Sequence, residues 1–261
     1  MHLCFAVHPA RPTSHSAAEY FVSLCNAMEI QASIYTGQET ENLQAADVLA
    51  VLGGDGSLFR HVPVARQYDL PLLGINMGRV GFLSETTEEA FPALLPRLLA
   101  GAYHRIAYPL LAATLPQREP VLCMNDVVLY REDRASALRM HVTAGDTFSG
   151  PLCGDGVIVA TSAGSTGYSL SAGGPLLAET LRAMLLTPLC PHSLAARPLV
   201  LGMDTEIALT ARESALVAAD GQGLGELREG ETLYVRGTDE SVHFLRFSEP
   251  NLFERVRAKL Q

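Results

Sequence analysis

Residues 48–56 read Val48-Leu49-Ala50-Val51-Leu52-Gly53-Gly54-Asp55-Gly56. The five apolar residues predict a buried strand, and the glycines after it allow a sharp turn whose backbone N–H groups can approach a ligand closely. A helical pattern from about Ser57 to Gln67 places the positive end of a helix dipole at the same point. These features predict a phosphate site with one carboxylate, Asp55, suited to accepting a proton or binding a metal ion. The alternative is a tight turn in which Asp55 only caps the helix.

The composition is that of a compact protein with one large domain or two smaller ones. Of the 261 residues, 48% are hydrophobic, and the mean hydropathy is +0.17. No apolar run approaches the roughly 18–20 residues of a membrane span, and the N-terminus lacks the charged start of a signal peptide. The five cysteines have no paired spacing. They predict free thiols in a reducing cytoplasm, and they argue against a disulfide framework or a zinc site.

The charged residues narrow the class of ligand. A net charge of -9 disfavours nucleic acid and anionic membrane surfaces as partners. Among the 19 basic residues the only lysine is Lys259, which excludes both a Walker A loop and the strand lysine of protein kinases. A phosphate would therefore be bound by backbone N–H groups, helix ends, arginines and a metal ion.

The first hundred residues alternate strand and helix patterns, which predicts a parallel sheet covered by helices. In such sheets ligands bind beyond the carboxyl ends of the strands, where the glycine loop falls. Two of the helices show a capping-box pattern at their start, Ser16-x-x-Glu19 and Thr86-x-x-Glu89. The predicted strands are His2–Val7, Gln31–Thr36, Val48–Leu52 and Pro71–Ile75, and the predicted helices are Ser16–Met28, Ser57–Gln67 and Thr86–Leu99.

From Arg105 to Phe247 the pattern changes to short β-rich runs broken by Gly, Pro and Asp, which predicts an antiparallel, sandwich-like second domain. A terminal helix is expected at Pro250–Leu260. The predicted domains are residues 1–100 together with 248–261, and residues 101–247. The runs are Tyr108–Leu115, Val121–Tyr130, Leu138–Ala144, Gly156–Ala160, Thr205–Thr210, Ala215–Ala219, Thr232–Arg236 and Val242–Phe247.

Asn125 and Asp126 lie inside the apolar run Val121–Leu129. A buried amide and carboxylate cost several kcal/mol unless both are hydrogen-bonded. A cis-diol meets that demand, because a carboxylate accepts hydrogen bonds from both hydroxyls. The pair therefore suits a ribose, and the alternative is a strand bulge or a bend at a domain boundary.

A dense set of glycines and small hydroxyl residues follows the strand pattern that begins at Asp155-Gly156. The set runs from Thr161 to Pro175 and holds too many hydroxyls for an ordinary turn. It also contains Tyr168, whose flat ring can stack on a base. The alternative is a flexible linker, which the preceding strand and the Tyr and Leu within the segment disfavour.

In this order and spacing, the segments resemble the NAD kinase family, which makes NADP from NAD. Each motif alone is a modest signal, and the ordered set is specific. The resemblance implies an N-terminal Rossmann-like α/β domain, a C-terminal β-sandwich-like domain, and a last helix that returns to the first domain. The motifs are Gly53-Gly54-Asp55-Gly56, Asn76-Met77-Gly78-Arg79-Val80-Gly81-Phe82-Leu83, Asn125-Asp126, Asp155-Gly156 with Thr161–Pro175, Pro191–Pro198 and, more weakly, Asp220-Gly221-Gln222.

The resemblance also implies an activity and its partners. The enzyme would be a phosphotransferase that phosphorylates the 2′-hydroxyl of the adenosine ribose of NAD with ATP, giving NADP and ADP. Mg²⁺ or another divalent cation would accompany the ATP, without a side chain that we assign as its direct ligand. Family members are homodimers or homotetramers, so NAD, ATP and further copies of the chain are the expected partners.

Individual roles follow from the matched motifs. Asp55 would be the catalytic base that takes the proton from the 2′-hydroxyl, and Gly53, Gly54 and Gly56 would form the phosphate loop. The residues expected to contact NAD are Asp55, Gly56, Arg60, Asn125, Asp126, Asp155, Ala163, Thr166, Gly167, Tyr168, Ser169, Leu170, Ser171 and Gln222.

The sequence departs from the family pattern at several positions. Thr161-Ser162-Ala163 replaces Thr-Pro-Thr, which predicts a less preorganised loop, and Gly167 replaces Ala. Ser57 replaces a Thr and keeps the hydroxyl. Cys153-Gly154 stands where some relatives have an arginine before the aspartate, so Arg197 or His192 would neutralise the new phosphate of the product.

Two other classes of protein stay open. A non-catalytic NAD(H)-binding sensor on the same fold would tolerate the changed loop at Ser162-Ala163, although a sensor has no need of Asp55. Diacylglycerol-type lipid kinases and phosphofructokinases share the glycine-aspartate loop. The segments Thr161–Pro175 and Pro191–Pro198 fit neither of these kinase classes.

Overall fold

The computed structural model describes residues 1–78, 81–133, 136–146, 148–179, 181–248 and 256–257. The chain divides into two compact units: Met1–Ala107 with Val242–Gln261, and Tyr108–Ser241. The first unit alternates helices and strands, and the second is mostly β. The predicted fold class is therefore confirmed.

The first unit is built on a parallel sheet with the order β2-β1-β3-β4. Strands β3 and β4 are buried along their whole length, as expected for parallel strands covered by helices. Phe244, late in the chain, pairs in parallel with Leu72 at the edge of this sheet. The elements are β1 (His2–Ala6), α1 (Pro12–Ala27), β2 (Gln31–Tyr35), α2 (Thr40–Gln44), β3 (Val48–Leu52), α3 (Asp55–Gln67), β4 (Leu72–Asn76), β5 (Thr86–Thr87) and α4 (Phe91–Leu99).

The two predicted capping boxes are wrong. Helix α1 begins at Pro12, because proline has no N–H to leave unpaired and its fixed φ suits the first turn. Ser16 therefore lies inside the helix. Thr86–Thr87 forms the short strand β5 beside β4, and α4 begins only at Phe91, with Pro92 in its first turn. Helix α2 was not predicted, since five residues are too few to show a helical period.

The second unit contains two antiparallel sheets. One has the order β13-β12-β11-β8-β15-β16, and the other contains the path β10-β9-β14-β17. Strand β6 begins, and strand β17 ends, within the residues of the first unit. The elements from residue 104 onward are β6 (His104–Thr114), β7 (Val121–Cys123), β8 (Asp126–Arg131), β9 (Leu138–Ala144), β10 (Phe148–Gly154), β11 (Gly156–Thr161), a 3₁₀ turn (Ala163–Thr166), α5 (Tyr168–Ser171), β12 (Ala183–Leu189), β13 (Leu199–Gly202), β14 (Glu206–Ala211), β15 (Ala215–Ala219), β16 (Gln222–Leu227) and β17 (Thr232–Arg246).

Apolar side chains from both sheets share one core in this unit. Val127 and Val157 project from β8 and β11, and Val142 and Leu209 project from β9 and β14. Along β9 and β14, buried residues alternate with more exposed ones, which is the pattern of sheets that pack face to face. The predicted sandwich-like architecture is therefore present.

Several strands of the second unit differ from the prediction. The run Val121–Tyr130 is two strands, β7 and β8, and the two runs at Thr232–Arg236 and Val242–Phe247 are one strand, β17. Strands β10, β12, β13 and β16 were not predicted. Strand β12 is buried at every position, so it lacks the alternation by which a half-buried strand is recognised.

Two predicted segments fall wholly or partly outside the described residues. The predicted terminal helix Pro250–Leu260 lies outside the described residues, apart from Val256 and Arg257, which are helical. Arg79 and Val80 of the second glycine motif also lie outside them. In the part of the chain that the structure describes, no helix is long and apolar enough to cross a membrane.

Candidate active site

The glycine loop joins the carboxyl end of β3 to the start of α3. Gly54 is the N-cap and Asp55 the first helical residue, two positions before the predicted start. Gly53 has a φ of +153°, and a Cβ on it would lie 2.3 Å from Oγ of Ser57. Only glycine fits at that position. The loop therefore brings backbone N–H groups and a helix N-terminus to the edge where parallel sheets bind ligands.

The carboxylate of Asp55 is held by backbone N–H groups of the second glycine motif. Phe82 N donates to Oδ2 at 2.8 Å, and Leu83 N donates to Oδ1 at 3.1 Å. Gly81 permits this approach, since a Cβ there would lie 1.9 Å from Oδ1. Asp55 is therefore more than a cap of its own helix, because a separate chain segment fixes the direction of its carboxylate.

A buried ion pair anchors that same segment. Arg246 Nη1 donates to Leu83 O at 2.8 Å and lies 3.3 Å from Glu85 Oε2, and Phe247 N donates to Glu85 Oε1 at 2.7 Å. The side chains of Arg246 and Glu85 are 0% and 6% exposed. Neither residue was singled out from the sequence, although an arginine inside the apolar run Val242–Phe247 is a signal of a buried charge that needs a partner.

A cavity of about 290 Å³ lies beside the N-terminal half of α3. His8, Tyr35, Arg60 and His61 are among the residues that line it. Burial lowers the pKa of His61, while its hydrogen bond from Nδ1 to Ser57 O, 2.7 Å long, opposes that shift. At neutral pH the cavity therefore offers one permanent cation, Arg60, and an uncharged imidazole.

In the second unit, Asp220 holds the bend at which β7 gives way to β8. Its carboxylate accepts hydrogen bonds from the backbone N–H groups of Met124 at 2.9 Å, Asn125 at 2.7 Å and Asp126 at 3.2 Å. The Asn125 side chain donates from Nδ2 to Asp126 Oδ2 at 2.7 Å. In the sequence, the Asp220 segment is only the weakest of the motifs that resemble the family. The structure shows that it fixes the candidate ribose-binding pair.

The two aspartates at this bend are unusually hard to ionise. Asp126 is only 4% exposed, and burial, reinforced by the charge of Asp220, raises its pKa to about 7. Burial also raises the pKa of Asp220, although its three backbone hydrogen bonds work in the opposite direction. A hydroxyl that donates to Asp126 would favour its ionised form.

Several hydroxyls of the 161–171 segment bond within the protein. Thr161, Ser165 and Ser169 have no exposed surface. Thr161 donates to the carbonyl of Met124, and Ser169 Oγ lies 2.8 Å from Oγ1 of Thr187. These groups shape the loop and fix it to neighbouring strands.

The remaining candidate residues differ in accessibility. Tyr168 is 50% exposed, so one face of its ring can meet a base. Asp155 is half-buried and pairs with Arg131 at 3.2 Å. Their contacts with NAD stay predictions. Of the other residues expected to contact NAD, Ala163 is buried, and these five are partly or fully exposed: Thr166, Gly167, Leu170, Ser171 and Gln222.

Asn125 packs directly against the hydroxyl-rich segment. Thr161 N donates to Asn125 O at 3.0 Å. A Cβ on Gly164 would lie 2.0 Å from that same oxygen, whereas a Cβ on Gly167 would lie 3.2 Å from Oδ1 of the Asn125 side chain. The second unit thus packs Asn125, Asp126 and the 161–167 turn against one another.

Comparison with known proteins decides the family. The model of the ATP-NAD kinase N-terminal domain matches residues 5–103, and that of the ATP-NAD kinase C-terminal domain matches residues 124–247. The chain belongs to the NAD kinase family. The NAD kinase of Heliobacterium modesticaldum is 37% identical over 229 residues, which are 85% of this chain and 81% of that protein. The NAD kinase of Moorella thermoacetica is 37% identical over 232 residues, 86% of this chain and 74% of that protein.

Solved structures of this family share the fold. The structure of yeast NADH kinase complexed with NADH has a TM-score of 0.86 and 23% identity, and the match covers 100% of this chain and 87% of that one. The structure of an NAD kinase from Archaeoglobus fulgidus in complex with ATP has a TM-score of 0.80 and 26% identity, with 99% of each chain covered. The two-domain architecture is therefore that of the NAD kinase family.

An NAD kinase uses a divalent metal ion together with ATP, so we searched the described residues for side chains that could bind one. Among them, no three His, Cys, Asp or Glu side chains group closely enough to hold a metal ion. Mg²⁺ is commonly bound through substrate phosphates, water and only one or two carboxylates. A divalent ion that is held mainly by nucleotide phosphates and water needs no such group of side chains.

The departure at Ser162 does not leave the turn unrestrained. Ser162 has a φ of -59° and a ψ of -38°, and that φ is one that the proline usual in NAD kinases would also adopt. Its side chain is buried and donates to the carbonyl of Glu179 at 3.3 Å. A hydrogen bond therefore restrains this position in place of the proline ring.

The two glycines of the turn provide a matched test of its packing. We expect Gly164→Ala to lower the free energy of unfolding by about 1–3 kcal/mol, because the new methyl group meets the Asn125 backbone. Gly167→Ala, which restores the usual NAD kinase residue, should change it by less than about 1 kcal/mol. Its methyl group would lie 3.2–3.3 Å from the Asn125 side chain and the Gly164 carbonyl, so shifts of a few tenths of an ångström are enough. Urea unfolding of both variants and the wild type measures this. Equal losses in the two variants would contradict the packing described.

Proposed function

We infer that this protein is an NAD kinase, which transfers the γ-phosphoryl group of ATP to the 2′-hydroxyl of the adenosine ribose of NAD and yields NADP and ADP. One observation carries the inference from family to chemistry: Asp55 is retained at the glycine loop, and two backbone N–H groups fix its carboxylate. A sensor that only bound NAD would have no use for a base held in this way.

In the first unit, we assign Asp55 as the general base. It accepts the proton of the 2′-hydroxyl as that oxygen attacks the γ-phosphorus of ATP. Proton transfer to a positioned side chain contributes roughly 10²–10⁴ in rate. The hydrogen bonds from Phe82 and Leu83 support this role because they hold the carboxylate in one direction.

The same unit supplies the groups that bind phosphate. Gly54 and Gly56 have no side chain that would shield the backbone N–H groups of the loop, whereas the N–H of Gly53 donates to Ile75 O at 2.9 Å. The N-terminus of α3 adds a partial positive charge. Arg60 lies on α3 at the wall of the 290 Å³ cavity, where its guanidinium can pair with a phosphate. A divalent cation that accompanies ATP supplies further charge stabilisation when it is bound.

In the second unit, we assign Asn125 and Asp126 to the ribose hydroxyls of NAD. The buried Asp126 carboxylate accepts a hydrogen bond from the Asn125 side chain, and its remaining acceptor capacity suits the two donors of a cis-diol. The half-exposed ring of Tyr168 supports stacking on a base. The remaining contacts with NAD are proposed for Gly56, Asp155, Ala163, Thr166, Gly167, Leu170, Ser171 and Gln222. The hydroxyl of Ser169 is buried against Thr187, so its expected role becomes that of positioning the loop.

We further propose that the enzyme acts in the cytoplasm as a homodimer or homotetramer. All five cysteines are free thiols, which suits a reducing compartment. The subunit number follows the family resemblance, and light scattering of the purified protein measures it.

The test is NADP formation by the purified protein from NAD, ATP and Mg²⁺, read with an NADP-specific dehydrogenase. We expect NADP to form only when ATP is present. NAD binding measured by calorimetry, without NADP formation, would overturn the kinase assignment in favour of a sensor. The absence of NAD binding by a folded protein would overturn the assignment of the substrate.

A further inference from the structure

Cys153 and His192 form a thiol–imidazole pair to which the proposed phosphoryl transfer assigns no covalent step. The Sγ of Cys153 lies 3.5 Å from Nδ1 of His192. The backbone reinforces the pair, because His192 N donates to Cys153 O at 2.9 Å. Cys153 is partly exposed and His192 is exposed, so a reagent in solution can reach the sulfur. An imidazole at this distance can take the thiol proton and leave the nucleophilic thiolate.

The pair lies in the wall of a cavity of about 770 Å³ that two arginines, Arg139 and Arg212, also line. The lining contains no Asp or Glu among the described residues. Arg139 pairs with Glu213, whereas no ion pair of Arg212 is found within the described parts of the chain. In a protein with a net charge of -9, this local excess of positive charge favours an anionic ligand.

The cavity also has an apolar component. Phe148 and Leu152 contribute to its lining, and the Phe148 ring is 38% exposed. A volume of about 770 Å³ lies within the range of roughly 300–1,000 Å³ that is typical of sites for small molecules. The cavity therefore has the size and surface for an organic anion that carries an aromatic or aliphatic part.

We propose that this cavity binds small anionic disulfides and that Cys153 exchanges with them to form a mixed disulfide. His192 Nδ1 accepts the thiol proton, and Sγ attacks one sulfur of the bound disulfide. A new S–S bond forms as the S–S bond of the ligand breaks, and the other half leaves as a thiolate. The step needs no further oxidant, because the incoming disulfide is itself reduced.

Of the other four cysteines, three should react slowly with a disulfide, and the fourth can be removed by substitution. Burial raises the pKa of Cys4 and of Cys25 to about 11, and it raises the pKa of Cys123 well above its ordinary value. These three thiols are protonated at neutral pH and enclosed. Cys190 is exposed, so it is the residue from which Cys153 must be distinguished.

The first test is the rate of thiolate release from 5,5′-dithiobis(2-nitrobenzoate), an aromatic disulfide with two carboxylates, at pH 7. We expect a fast phase that is retained in Cys190→Ser and lost in Cys153→Ser. His192→Asn should slow this phase by about tenfold or more, because the proton acceptor is removed. A fast phase that survives Cys153→Ser, or one that is unchanged by His192→Asn, overturns the proposal.

The second test isolates the charge of the cavity. Arg212→Gln should slow the fast phase with the dicarboxylate reagent by about tenfold, a steering effect, and leave the rate with neutral 4,4′-dithiodipyridine unchanged. Arg228→Gln is the matched control, since Arg228 is exposed and does not line the cavity. Equal slowing with both reagents, or equal effects of the two substitutions, overturns the assignment of an anion-selective site. Neither test depends on NAD kinase activity.

Discussion

The Asp55→Asn variant is expected to lose at least about a hundredfold in the kcat of NADP formation while remaining folded. Asparagine keeps the size of the side chain, but its amide cannot accept the proton of the attacking hydroxyl. The change also removes the negative charge that the N–H groups of Phe82 and Leu83 now hold. Steady-state rates at saturating NAD and ATP measure the effect, and thermal unfolding verifies that the variant is folded.

Two further variants give this prediction its controls. Asp69→Asn makes the same chemical change at an exposed residue of the same unit, and it should retain full activity. Gly81→Ala leaves Asp55 in place but adds a methyl group where a Cβ lies 1.9 Å from Oδ1, so it should displace the carboxylate and also inactivate the enzyme. Near-wild-type activity of Asp55→Asn would remove Asp55 from the catalytic role. An active Gly81→Ala would show that the orientation of the carboxylate is unimportant.

The sequence predicted the elements that are buried on all sides and are therefore apolar along their whole length. Strand β3 was placed at its observed bounds, because continuous apolar residues between turn signals describe a strand covered on both faces. Helix starts were harder to place. At α1 the competing signal Pro12 lies close to the apparent capping box at Ser16, and local pattern alone does not say which begins the helix.

In the candidate site, too, some residues could be predicted from the sequence and others could not. Asp55, Asn125 and Asp126 stand out in the sequence because each is a polar group beside or within an apolar run. The residues that position them do not stand out, since their partners are remote in sequence. Asp220 bonds backbone groups 94 to 96 positions away, and Arg246 bonds the carbonyl of Leu83, 163 positions away. Only the folded chain brings these groups together.

The hydroxyl-rich segment illustrates a second limit of sequence reasoning. Composition identified it as an unusual segment, but composition does not distinguish hydroxyls that face a ligand from those that hold the loop. Ser165 is buried and accepts from Leu177 N at 3.0 Å, and Ser169 is buried against Thr187. Such hydroxyls hold the loop in position without themselves being exposed to a ligand.

The pH dependence of stability should carry a large contribution from Asp126. Its pKa rises from 3.8 to about 7 on folding, so the folded state binds more protons than the unfolded state between these values. The free energy of unfolding should therefore fall as the pH rises from about 4 to 7. A shift of about three units corresponds to roughly 4 kcal/mol. Chemical denaturation at a series of pH values, compared between the wild type and Asp126→Asn, measures this contribution.

The comparison needs a second carboxylate variant, because other groups also titrate in this range. Asp146→Asn removes an exposed carboxylate from the same unit, so it should keep the wild-type slope, whereas Asp126→Asn should flatten it. The raised pKa of Asp220 acts in the same direction. A variant with the full wild-type slope would show that Asp126 ionises as readily in the folded protein as in the unfolded chain. The raised pKa of Asp126 would then no longer support the assignment of a ribose diol to this position.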